Sequence, residues 1–196
     1  MAVGPSIFYG RGVPGEDELR LCPDVQGKRV LVLGGNGAVA FARLGAKAIE
    51  IDPDEQHIAA GRALAVQHGV TVEFHLGEVA DLGFATSGSI DLVFSSTALG
   101  TVDDLPRVFR QVHRVLRPAA PLVFAIPHPV ASMLEGGEVV LRRPYWSNSQ
   151  RTIGGLFGSL SRNNFSVDMI VEPAPIDRPD ALVPAALILR ARKQGL

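Results

Sequence analysis

The sequence predicts an α/β domain: a doubly wound, mostly parallel sheet flanked by helices and ending in an antiparallel β-hairpin. Three observations carry that expectation. From Lys28 to Pro129, short apolar runs of strand length alternate with helix-spaced segments. Such alternation needs crossover connections, and these bring strands together in parallel. Runs such as Arg29-Val-Leu-Val-Leu33 lack polar alternation, as suits strands covered on both faces. Near the end, two strand-like segments follow one another with no helix between them, which favours an antiparallel pair.

The elements follow in order. Residues 1–24 are rich in Gly and Pro, with a short helical piece at Glu16–Leu21, and read as an N-terminal arm. Arg29–Leu33 is the first strand, closed by Gly34 and Gly35, and Ala38–Leu44 is an Ala-rich helix. Ala46–Ile51 is a second strand ending in Asp52. Pro53–His68 is a helix that Asp54 can cap, with Ile58, Ala59, Arg62, Ala63 and Val66 at helical spacing. Val70–Leu76 and Asp91–Ser95 are the third and fourth strands. Asp103 or Asp104 opens a helix through Leu116 with Leu105, Val108, Val112 and Val115 on one face, and Pro121–Ile126 is the fifth strand. Residues 25–129 thus form a core. Residues 130–152, polar, Gly-rich and aromatic, form a lid or substrate segment. Residues 153–196 supply a helix (Ile153–Asn164) and the hairpin strands Phe165–Glu172 and Ala185–Arg192. The whole reads as one domain, residues 1–196.

Composition narrows the function. With 46% hydrophobic and 20% charged residues the chain has a real core to bury. A net charge of −1 without a basic stripe makes nucleic acid an unexpected partner. The lone Cys22 forms no internal disulfide, and no two histidines have metal spacing. No charged region followed by an apolar one opens the chain, and no apolar run reaches membrane-spanning length, so a cytoplasmic protein is expected. The sequence leaves the oligomeric state open, a dimer included.

The first strand delivers Gly34-Gly35-Asn36-Gly37 to a helix start, where glycines let the backbone approach a ligand closely. Glycines also occur in such turns for steric reasons alone. Asp52, ending the second strand, can accept both hydroxyls of an adenosine ribose, or merely cap the next helix. Together the two features describe an adenosine-containing cofactor at the carboxyl edge of a parallel sheet.

On these residues the chain resembles the class I S-adenosylmethionine-dependent methyltransferases, of the small-molecule type. Lys28–Gly34 and Ala46–Asp52 are similar to the family's first two motifs, His75–Leu82 to its adenine-contacting loop, and Ser89–Ser96 to its fourth strand. Val112–Pro118 followed by Pro121–Ile126 is similar to its segment of helix, Leu-(Lys/Arg)-Pro-Gly-Gly and strand. The resemblance implies S-adenosylmethionine as cofactor. It puts Gly34, Gly35 and Gly37 against the methionine part and Asp52 on the ribose. Pro53 would lie beside the adenine, and Glu78 with the Val79 backbone would face its amino group. Ser95 and Ser96 would line the floor near the sulfonium, and Tyr9 would close over the cofactor. The chain also departs from the family. Val32 stands where an Asp or Glu is usual two residues before the first glycine, the glycine loop is shorter, and the loop after Leu116 reads Arg-Pro-Ala-Ala instead of Arg-Pro-Gly-Gly.

For the acceptor side, His128 in Pro127-His-Pro129 is the candidate base, with a pKa range suited to removing a proton from a hydroxyl or amine; it is equally a loop histidine without that task. Tyr145, Trp146, Arg142 and Arg143 can form an aromatic and cationic wall, or simply pack a lid. His57, His68 and His113 read as surface residues of helices. The leading expectation is methylation of a small molecule at O or N. A non-catalytic relative that binds or dimerises is the alternative. A nicotinamide-dependent oxidoreductase is third, since it leaves the hairpin unexplained and no Tyr-x-x-x-Lys pair is present.

Overall fold

The computed structural model describes residues 6–35, 37–133, 144, 145, 151–178 and 181–195. Its centre is a seven-stranded sheet of order β3-β2-β1-β4-β5-β7-β6. The strands are β1 (Arg29–Leu33), β2 (Lys47–Asp52), β3 (Val72–Leu76), β4 (Leu92–Ser95), β5 (Pro121–Pro127), β6 (Phe165–Val171) and β7 (Ala186–Lys193). Pairings among β1 to β5 are parallel; β7 runs antiparallel to both β5 and β6. The expected parallel sheet with an antiparallel finish is what the chain adopts. Two details go beyond the expectation: β7 inserts between β5 and β6, and β6 carries a bulge between Val167 and Met169.

Both faces of the sheet are covered, and the alternation along each strand sorts side chains into two cores. Leu31, Leu33, Ile49, Ile51, Val93 and Phe124 point to one face. There they meet α4 (Leu105–Val115) through Val108, Phe109 and Val112, and α5 (Ile153–Arg162) through Leu156 and Leu160. Val30, Val32, Ala48, Phe94 and Val123 point to the other. That side is covered by α2 (Ala38–Arg43) and by the arm, whose Ile7, Tyr9, Val13 and Leu21 are buried. The arm is therefore part of a core, and its helix α1 spans only Glu16–Leu19.

Capping chemistry fixes the helix starts. Asp54 accepts the Gln56 N–H at 2.8 Å to open α3 (Glu55–His68), and Asp104 accepts the Arg107 N–H at 2.9 Å to open α4. Both caps sit just past the carboxyl ends of strands, so α3 and α4 begin at the sheet edge where ligands bind in open α/β sheets. No helix of the described residues is long and apolar enough to cross a membrane.

Candidate cofactor site

The glycine turn begins as a continuation of the sheet, with the Gly34 N–H donating to the Ile51 carbonyl at 2.8 Å. Gly34 and Gly35 then take left-handed φ values of 69° and 76°. A Cβ on Gly34 would lie 2.6 Å from the Ala98 Cβ, so the position demands glycine on two counts. Asn36 lies outside the described residues. Gly37 sits at the N-cap of α2 with no side-chain cap of its own.

Across from this turn, Asp52 ends β2 and is only 3% exposed. One carboxylate oxygen accepts the Gly35 N–H at 2.9 Å and the other the Asp54 N–H at 2.8 Å. The His57 ring straddles both oxygens, its Nδ1 3.2 and 3.3 Å away. Asp52 thus binds the glycine turn to the start of α3, and its remaining polar face is covered by an imidazole that is half exposed.

Gly34, Gly35, Asp52 and Pro53 line one wall of a cavity of about 740 Å³; Glu78 and Val79 line another, and Thr97 and Ala98 a third. The volume is in the range of small-ligand sites, about 300–1,000 Å³. Carboxylates dominate its lining: Asp52, Asp54, Glu78, Asp81, Asp103 and Asp104 stand against the single guanidinium of Arg107 and the imidazole of His57. The site therefore favours a ligand with positive charge and disfavours a polyanion.

Six of the sequence-nominated residues (Gly34, Gly35, Asp52, Pro53, Glu78 and Val79) come together on this cavity. Four others do not. Gly37 faces the Val32 side chain; a Cβ there would be 3.5 Å from its Cγ1. Ser95 is fully buried and donates to the Leu33 carbonyl at 3.0 Å, so it joins β4 to β1, and Thr97 and Ala98 hold the wall expected of it. Tyr9 is 1% exposed, its ring 5.6 Å from that of Phe94, and its hydroxyl donates to Glu16. The same Glu16 carboxylate accepts the N–H groups of Leu21 and Cys22 at 3.1 and 2.7 Å, tying the arm into a closed loop. Burial pushes the Tyr9 hydroxyl and the Cys22 thiol above their ordinary ranges, and the neighbouring Glu16 adds to both shifts. Tyr9 anchors the arm and borders a smaller hollow beyond Thr97 in place of the larger cavity.

His128 is the fourth. It is 3% exposed, its Nδ1 accepts the Val130 N–H at 3.2 Å, and its Nε2 lies 2.7 Å from the Glu172 carboxylate. With Nδ1 accepting, the proton resides on Nε2 and is donated to Glu172. Both ring nitrogens are engaged in this arrangement, and His128 joins the end of β5 to residue 172 beyond β6. Of the aromatic and cationic wall, Arg142, Arg143 and Trp146 lie outside the described residues, and the Tyr145 hydroxyl accepts the Ile153 N–H at 3.0 Å. His57 is the residue that the sequence reading missed. Its spacing, five residues after a strand-end acid and one turn into the next helix, was the signal available.

A family model described as a methyltransferase domain matches residues 31–124, the stretch that carries the glycine turn, Asp52 and the Glu78 loop. A solved S-adenosylmethionine-dependent methyltransferase from Mesorhizobium loti superposes with a TM-score of 0.74 at 26% identity, covering 89% of this chain and 95% of that one. Residues 31–124 carry a methyltransferase domain, and the chain shares the fold of a solved S-adenosylmethionine-dependent methyltransferase. Among curated methyltransferases of similar sequence is the ubiquinone biosynthesis O-methyltransferase of Hahella chejuensis, 31% identical over 123 residues, which are 59% of this chain and 52% of that protein. The chain spans about half the length of the curated relatives it matches. The [4+2]-cyclase SpnF has a similar fold, with a TM-score of 0.68 at 19% identity over 98% of this chain and 87% of its own. The departures from the family pattern have structural counterparts. Ala119 stands where the usual loop has glycine, and it adopts a left-handed φ of 62°. Val32, in place of the usual acid, is fully buried among apolar side chains.

Proposed function

We propose that the chain is an S-adenosylmethionine-dependent methyltransferase that acts on a small molecule at oxygen or nitrogen. The observation that carries this reading is the buried Asp52 carboxylate, set against the Gly34–Gly35 turn at the carboxyl edge of the sheet and facing one cavity with Glu78 and Val79. The residues fit the group. Asp52 would hold the ribose hydroxyls once His57 swings toward solvent, Pro53 and Val79 would flank the adenine, and Glu78 would accept from its amino group. The glycine turn would lie along the amino-acid end. The surplus of carboxylates suits a cationic sulfonium, and it counts against the nicotinamide reading, because a pyrophosphate would meet those acids.

When bound, S-adenosylmethionine supplies an electrophilic methyl group on a sulfonium. The protein's own part is then alignment and exclusion of water. Thr97 and Ala98 fix the wall beside the glycine turn. Beyond Thr97, which lines both, a smaller hollow of about 140 Å³ bordered by Tyr9, Gly10, Arg11, Ser96 and Pro127 would admit an acceptor. Its size supports a small acceptor or the reactive end of a larger one. The O-methyltransferase name of the Hahella relative supports oxygen as the acceptor atom.

The test is calorimetric titration with S-adenosylmethionine and S-adenosylhomocysteine, with NADH as control. Binding of the first two near micromolar Kd and none of the third is expected. Asp52→Asn should weaken S-adenosylhomocysteine binding by about tenfold or more, since a charge-assisted pair of hydrogen bonds is lost. Unchanged affinity in that variant would remove the ribose assignment. Transfer of a labelled methyl group to a panel of phenols, alcohols and amines would then select the acceptor atom.

A further inference from the structure

Glu50 is a fully buried carboxylate that the reading above does not use. It lies on β2, two residues before Asp52, and so on the same face of the sheet. In the parallel pairing of β1 with β2, the residue directly opposite Glu50 is Val32. Residues paired across strands project to the same side, with backbones about 4.8 Å apart. Val32 is the position where the resemblance set out in the sequence leads one to expect an acid. The side chain missing from β1 is therefore matched by one on the adjacent strand, at the same level and on the same face.

The contacts agree. The Glu50 carboxylate accepts the N–H of Ala38, the first residue of α2, at 3.2 Å. That N–H is one of the donors a helix leaves without an internal partner, and Gly37 at the N-cap has no side chain to take it. Asp52 accepts the Gly35 N–H. Two carboxylates spaced i, i+2 on β2 thus hold both ends of the shortened glycine turn, one at its entry and one at its exit. Burying a carboxylate costs several kcal/mol before its hydrogen bonds are counted, so an acid at a fully covered strand position is an expensive way merely to fill space.

We infer that Glu50 is the positioning residue for the glycine turn, an acid moved from β1 to β2, and that it sets the geometry of the turn where the amino-acid end of the cofactor lies. The inference rests on the S-adenosylmethionine reading and deepens it. Glu50 acts through the Ala38 N–H and is not assigned contact with the cofactor.

The experiment compares two probes by calorimetry: S-adenosylhomocysteine, and 5′-methylthioadenosine, which lacks the amino-acid end. Glu50→Val should weaken S-adenosylhomocysteine by about tenfold or more while methylthioadenosine changes by less than about twofold. Glu50→Gln, which keeps one acceptor oxygen, should fall between wild type and Glu50→Val. The exchange variant Val32→Glu/Glu50→Val should regain S-adenosylhomocysteine affinity to within about threefold of wild type. Melting curves report whether each variant folds. If Glu50→Val does not fold, Glu50→Gln and the exchange variant carry the same comparison. Equal loss for both probes, no loss for either, or no recovery on exchange would overturn the inference alone. Wild-type protein that binds neither probe would overturn the cofactor reading, and this inference with it.

Discussion

At the scale of single residues, the site depends on how one carboxylate divides its hydrogen bonds. Asp52 gives two of its contacts to backbone N–H groups and the rest to His57. A ribose diol needs the face that the imidazole covers, so His57 competes with the proposed ligand. A hydrogen bond of this kind, with one partner half exposed, is worth about 1 kcal/mol. His57→Ala should therefore tighten S-adenosylhomocysteine binding by up to about fivefold, read by the same titration; weaker binding would mean that the ring touches the ligand instead. Ala119 makes a second residue-scale case. Its φ of 62° costs an L side chain roughly 1 kcal/mol. Ala119→Gly should relieve that, less the entropy glycine adds to the unfolded chain, for a net gain of about 0.5 kcal/mol in denaturant melts. The sequence made Asp52 and the glycine turn legible because strand-end position and glycine content are local properties. It did not reveal Glu50 or His57, whose roles depend on which residue stands opposite on a neighbouring strand or one turn along a helix. Tyr9 and His128 illustrate the same limit: both are chemically able, and only the fold shows which neighbours their polar atoms meet.

At the scale of elements, the terminal hairpin is held by charge as well as by its ladder. Asp168, at the β6 bulge, accepts from Arg190 at 2.9 Å and from Arg192 at 2.6 Å, both on β7. Burial by itself raises the Asp168 carboxyl, but the hydrogen bonds and charges of the two arginines outweigh it and hold the group below the usual aspartate value. A carboxylate depressed in the folded state adds stability that is complete above its unfolded pKa of about 3.9 and is lost as pH falls through the lower folded value. Asp168→Asn should cost about 1 kcal/mol at neutral pH. The gap between variant and wild type should close below about pH 4, as followed by urea melts across pH. A gap that persists into acid would assign the effect to packing. Strand type and helix caps were readable from period and end residues: Asp54 and Asp104 cap the helices that their positions suggested. The bulge was not readable, since nothing in Phe165–Val171 distinguishes a bulged strand from a straight one until its partner is known.

At the scale of the molecule, the sequence foretold the layers because apolar runs, helical spacing and the order of elements constrain a doubly wound sheet strongly. It foretold an antiparallel finish from the absence of a crossover helix. What it left open was order: two final strands can attach to β5 in either sequence, and the choice rests on long-range fit between side chains. The chain places β7, the later of the two, against β5, with β6 outermost. Synthesis runs from the amino end, so the order of manufacture and the order of assembly disagree. Until residues 186–193 have been made, β5 presents a bare, apolar edge (Leu122, Val123, Phe124, Ala125 and Ile126), and β6 has no neighbour to pair with. An unsealed edge of that kind invites pairing with other chains. A nascent polypeptide of this sequence would thus keep its sheet open, along a strand that ends up inside it, until β7 has emerged.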